Sequence, residues 1–116
     1  MYVVVEKGWE YNDEYYTEQG FSGIKKIFKR KKEAQELADD LNYHYVLNHG
    51  IDQFTPCDYL GHTRVSEDVV DFISSIGGST NVDWYWAPFP KETSKENILK
   101  GLKLLGVDFY EVLESD

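Results

Sequence analysis

The chain has one cysteine, one methionine and three prolines in 116 residues. A single thiol, Cys57, cannot close an intrachain disulfide, so the fold is not a stapled scaffold and carries no mark of an oxidising compartment. No run approaches the ~18 apolar residues of a membrane-spanning helix. The opening MYVVVEKGWE also lacks the basic stretch of a secretory leader. A soluble, cytoplasmic protein is expected. Cations are scarce too: 12 Lys and Arg against 21 Asp and Glu leave a net charge of −9. That field repels phosphate backbones and anionic lipid, which disfavours nucleic-acid and membrane binding and favours solubility and cationic partners.

The common signatures of chemistry are missing as well. No CxxC, HExxH, calcium-loop, GxxxxGK, GxGxxG or GxSxG pattern occurs, so neither a metal nor a cofactor is expected. His44 and His49 lie about 140° apart around a helix and do not share a face. Cys57 with His62 is the remaining chemical pair, since a thiol beside an imidazole can become a nucleophile. The plainer alternative is an incidental cysteine in a loop, and the balance is against an enzyme.

Aromatic residues, at 16% of the chain, are what the sequence has in quantity. A chain of this length buries roughly two-thirds of its unfolded surface, enough for a core without staples. We expect a single α+β domain over residues 1–116, with an antiparallel or mixed sheet of four to five strands and three helices, in the order β-β-β-α-α-β-α-β.

Residues 2–11, YVVVEKGWEY, read as the first strand. Asn12-Asp13-Glu14 is a turn cluster, and 14–18 return as a second strand. Gly20 and Gly23 bracket a predicted loop before a short third strand at 24–28. The longest helix is predicted over 30–48, with Ala34, Leu37, Ala38, Leu41 and Tyr45 on one face and Gly50 as its cap. Residues 51–65 read mostly as loop. A second helix starts from Ser66 and places Val69, Phe72, Ile73 and Ile76 at helical spacing. Trp84-Tyr85-Trp86 reads as a strand, and Thr93 with Glu96 as a capping box opening a third helix that Gly106 closes. The last strand is expected at 107–114. The opening hairpin followed by Phe28-x5-Ala34-x2-Leu37-x3-Leu41-Asn42 resembles the start of WGR-type domains. Their Trp-Gly-Arg signature is not present, Gly8-Trp9 being the partial echo, and no function is carried across.

Two stretches compete for function. Six of the twelve basic residues lie between Lys25 and Lys32, at the start of the longest helix. A helix N-terminus carries roughly +0.5 charge, so each exposed cation there costs about 0.3–1 kcal/mol. The offset is expected inside the fold, from Lys29–Glu33 and Lys32–Glu36 pairs and from an acidic hairpin at Asp13, Glu14 and Glu18. The second stretch is NVDWYWAPFP at 81–90. Trp and Tyr dominate binding hot spots because they bury large rigid area and keep a polar handle. Packing of Trp84 and Trp86 into the core is the competing reading.

The leading expectation is a non-catalytic protein-interaction domain, of inhibitor or immunity type, whose partner is another protein with a basic surface. Its contact residues would be Trp84, Tyr85, Trp86 and Phe89, flanked by Asp83 and Glu92. The alternative is a small-molecule binder or enzyme with a cleft near Cys57 and His62. A third reading is a nucleic-acid-associated module using Lys25–Lys32.

Overall fold

The structure is a computed structural model and describes residues 1–11, 16–49, 67–78 and 89–115. Its elements are β1 (Tyr2–Tyr11), β2 (Tyr16–Phe28), α1 (Lys31–His49), α2 (Glu67–Ser75), α3 (Lys95–Leu105) and β3 (Tyr110–Glu114). The α+β class and the three helices match the expectation. Among the described residues the sheet has three antiparallel strands in the order β2-β1-β3. The predicted strand at 84–86, the loop at 51–65, the Gly50 cap and the Ser66 N-cap lie outside the described residues.

The sequence reading splits into two strands what is one. Residues 16–28 form a continuous 13-residue strand, and Gly20 to Gly23 run inside it rather than in a loop. The predicted order therefore gives way, among the described residues, to β-β-α-α-α-β.

β1 is the central strand, and Val4 is fully buried against Ala34 and Ala38 of α1. Two alanines one helical turn apart leave no side-chain bulk between helix and strand, so α1 lies close on the sheet. Tyr2, Phe28, Leu37, Leu41, Tyr110 and Val112 complete this cluster. Full burial of a valine contributes about 1.5–3 kcal/mol, so this seam fixes α1 on its sheet face.

The later turns of α1 join a second cluster. Val46 meets Val69 and Ile73 of α2, Ile98, Leu102 and Leu105 of α3, and then Val107 and Phe109. The Tyr45 ring stacks on Phe109 at 3.8 Å between centroids. Gly101 is buried within α3, where a Cβ would lie 2.5 Å from the Phe89 ring. Asp40 and Lys95 form an ion pair that also ties α1 to α3.

Ser94 caps α3, not Thr93: the Asn97 N–H donates to Ser94 Oγ at 3.2 Å. Thr93 Oγ1 instead donates to Pro90 O at 2.6 Å, closing the turn before the helix. The expected box was one residue early because both hydroxyls suit the position and only the turn decides between them. Gly106 ends α3 in the left-handed region at φ 71°, as expected. Val107 and Phe109 then enter the core, and β3 follows.

Candidate functional site

The two edges of the sheet are not equivalent. At the start of β3, α1 supplies the missing neighbour. Asn42, only 6% exposed, accepts from the backbone N–H of Phe109 (2.8 Å) and of Tyr110 (2.9 Å). Its Nδ2 donates to Tyr110 O at 3.0 Å. A side-chain amide carries the same donor and acceptor as a peptide group, so Asn42 takes the place of an adjacent strand there. A groove of about 880 Å³ runs along this side between α1, α3 and β3, with Leu99, Leu102 and Val112 in its lining.

The other edge belongs to β2, and it has an unusual construction. Thirteen residues of β2 oppose ten of β1, and three bulges, beside Val4, Glu6 and Gly8, take up the difference. The extra residues are Lys25, Ser22 and Gln19. Between them Ile27 meets Val3, Ile24 meets Val5 and Phe21 meets Lys7.

The direction of the backbone groups follows from the other ladder. Lys7 N–H donates to Phe109 O at 2.8 Å, and Met1 and Ser115 exchange bonds of 2.9 and 2.8 Å. The odd residues of β1 are thus committed to β3, so the even ones face β2. Their partners Phe28, Lys26, Gly23 and Gly20 turn inward. Phe21, Ile24 and Ile27 direct their N–H and C=O away from the sheet, where no strand pairs with them among the described residues.

Their side chains are also uncovered: Phe21 is 56% exposed, Ile24 67% and Ile27 54%. They share the sheet face with Val3, Val5 and Leu113 by register. That face is the one turned away from α1; at its centre Val5 is buried, while Phe21, Ile24 and Ile27 along the edge are not.

The bulge residues bring the cations to the opposite face. Lys25 reaches Glu6 at 3.5 Å and lies over the Tyr110 ring, while Lys26 lies over Phe28. Lys29, Arg30, Lys31 and Lys32 are all exposed. Among the described residues no carboxylate pairs with any of these four, so the expected Lys29–Glu33 and Lys32–Glu36 pairs do not form. Of the acidic hairpin, Asp13 and Glu14 lie outside the described residues, and Glu18 pairs with Lys7 instead. Lysines on an edge strand do guard against aggregation. That role explains the cations but not three large apolar side chains beside open peptide groups.

Lys7 holds the far end of β1 together. Its side chain is 13% exposed, and its ammonium lies 3.0 Å from Glu18, 2.7 Å from Asp108 and 3.3 Å from Glu111. Burial works against the Lys7 charge, but the bonds to Asp108 and Glu18 outweigh it and hold the pKa above the ordinary lysine value. Burial raises the Asp108 pKa, and Lys7 offsets that only in part. Trp9 Nε1 donates to Asp108 O at 2.9 Å, fixing the same turn. The cluster binds β2, β1 and the entry to β3 to one another.

Of the residues singled out from sequence, Asp83, Trp84, Tyr85, Trp86, Cys57 and His62 lie outside the described residues. Phe89 is half-buried against Gly101 and the core of α2 and α3. Glu92 is exposed in the turn before α3, with a left-handed φ of 72°. His44 Nδ1 lies 2.8 Å from Asp40 O, an acceptor, so that nitrogen carries the proton. Among the described residues no group of three His, Cys, Asp or Glu could hold a metal ion. No helix among them is long and apolar enough to cross a membrane. Sequence reasoning passed over Phe21 and Ile24 as a site, although Phe21, Ile24 and Ile27 recur at every third position. The chain matches no family model, no curated protein and no solved structure.

Proposed function

We propose that this is a non-catalytic protein-interaction domain that engages its partner along β2. The observation that carries the reading is the row Phe21, Ile24 and Ile27, each more than half exposed on a strand edge that has no neighbour among the described residues. Apolar residues scattered singly on a surface mean little, but three in register beside open hydrogen-bonding groups form a recognition edge. The net charge of −9 acts from a distance, whereas contact at this edge meets the local cations from Lys25 to Lys32. Those cations alone would suit a nucleic acid. The apolar row offers a phosphate backbone nothing, and it favours protein.

The test is affinity capture from the protein's native cells with three baits: the wild-type chain, Ile24→Lys with Ile27→Lys, and Trp84→Ala with Trp86→Ala. Proteins retained by the wild type and lost with the β2 variant support the reading. Retention that only the tryptophan variant loses moves the site to the aromatic segment. Retention of small molecules alone, or of the same proteins by all three baits, overturns it.

A further inference from the structure

We infer that β2 accepts an additional, antiparallel strand from another protein, an extended segment in which apolar residues alternate with aspartate or glutamate. The inference rests on the reading of the domain as a protein binder and names the chemistry of what it binds.

The spacing comes from the sheet itself. β1 is an unbulged strand, and it meets Ile27, Ile24 and Phe21 with its alternate residues Val3, Val5 and Lys7. Three-residue steps along β2 therefore match two-residue steps along a regular neighbour. The same peptide groups point outward on the far side at the same intervals. A regular strand laid there can form a hydrogen-bonded pair opposite each of the three.

The chemistry follows from the faces. Partner residues opposite Ile27, Ile24 and Phe21 place their side chains beside those exposed apolar groups, where only apolar atoms gain from contact. The intervening residues emerge on the opposite face, beside Lys25 and Lys26, with Lys29 and Arg30 beyond the strand's end. Carboxylates there would meet cations, of which Lys26, Lys29 and Arg30 have no acidic partner among the described residues.

The same charges argue against a second copy of this chain. Two β2 strands paired about a two-fold axis run antiparallel, so the basic end of each would meet the start of the other, where the carboxylate on offer among the described residues, Glu18, is already held by Lys7. The β3 edge is a poorer site, because Asn42 already satisfies Tyr110.

The experiment uses the full chain and four fluorescent, end-capped heptapeptides. One alternates glutamate with valine, and one alternates lysine with valine. The other two are the glutamate peptide N-methylated at its valines or at its glutamates. Anisotropy reports binding, and amide hydrogen exchange reports which N–H groups of β2 become protected. The expected result is saturable binding of the glutamate peptide, about tenfold or more tighter than the lysine peptide. Protection should appear at the amides of Phe21, Ile24 and Ile27. Methylation at the valines should abolish binding, since it removes the donors facing β2, while methylation at the glutamates should leave it intact. The inference is overturned by failure of the glutamate peptide to bind, by equal binding of the two charge types, or by indifference to methylation at valine. Protection of those three amides in the free protein as a dimer, or by a single-stranded oligonucleotide but not the peptide, overturns it as well. Capture that depends on Ile24 and Ile27 alongside failed peptides would leave the protein-binding reading standing and remove strand pairing alone.

Discussion

The carboxamide of Asn42 bonds to both the N–H and the C=O of Tyr110, at 2.9 and 3.0 Å, in the manner of a strand that is not there. It also accepts from Phe109 N–H, so one buried side chain satisfies three backbone groups where the core gives way to the sheet. Asn42→Leu should strand all three without disturbing the helix surface. Each unsatisfied buried group costs about 1–3 kcal/mol, and partial access to water near Tyr110 reduces the sum to about 2–4 kcal/mol. Urea denaturation of the two proteins measures it, and a loss below about 0.5 kcal/mol would show that water replaces the side chain.

Gly101 and Phe89 form a coupled pair. Alanine is the better helix former by about 1 kcal/mol, so Gly101→Ala would ordinarily stabilise α3. Here the new Cβ meets the Phe89 ring at 2.5 and 2.7 Å, and overpacking of this kind costs about 1–3 kcal/mol. The clash is expected to win in the wild-type background. In Phe89→Leu the ring is gone, and the same substitution should become neutral or stabilising. A double-mutant cycle by thermal denaturation reads the coupling directly.

Lys7 should govern how stability changes with pH. Its pKa is raised in the folded chain despite burial, because Asp108 and Glu18 accept its hydrogen bonds. Its contribution is complete below the ordinary lysine value of 10.5 and is lost as pH rises through the higher folded value. Asp108 runs the other way. Burial raises its pKa, so the folded chain keeps a proton that the unfolded chain has released, and an unfavourable contribution sets in above its ordinary 3.8. Lys7→Met leaves Glu18, Asp108 and Glu111 facing one another. Its cost near neutral pH is expected at about 1–3 kcal/mol, discounted for carboxylates that are about a third exposed. The deficit should shrink as pH falls through the carboxylate range, and the variant should lose the decline above 10.5. Stability curves across pH check both statements.

The cations at the start of α1 have no acidic partner among the described residues to lose. Replacing Lys29, Arg30 and Lys32 with Gln is expected to leave stability unchanged or to raise it by up to about 1 kcal/mol, as repulsion at the helix N-terminus is relieved. A clear loss in a denaturant titration would show that the fold itself uses those charges.

The helices were legible because their signals are local. Ala34 and Ala38, Val69 and Ile73, and Ile98 with Leu102 and Leu105 stand at three- and four-residue spacings that admit one reading, and all are buried. β2 was legible only at its two ends, 16–18 and 24–28, because its apolar residues recur every third position. That period matches neither a strand nor a helix, and Gly20 and Gly23 within it read as a loop. Only pairing with β1 turns that spacing into a bulged strand. Asn42 gave no signal, since a polar residue on a helix is ordinary until β3 arrives beside it from 68 residues away. The basic run was visible from the start. Its lack of internal partners was not, because that depends on where Glu18 goes, and Lys7 takes it.

The threefold spacing of β2 against the twofold spacing of β1 resembles two rulings of different pitch laid side by side. Moving β2 by three residues and β1 by two would set Ile24 against Val3 and Phe21 against Val5, apolar on apolar once more, with Glu18 directly opposite Lys7. Side-chain pairing between the two strands therefore admits more than one setting. The slipped setting carries Phe28 beyond Tyr2 and out of its contact with the helix cluster, and it separates Lys25 from Glu6. With α1 beginning only three residues after Phe28, the zero of this vernier is fixed by the helix that follows the strands.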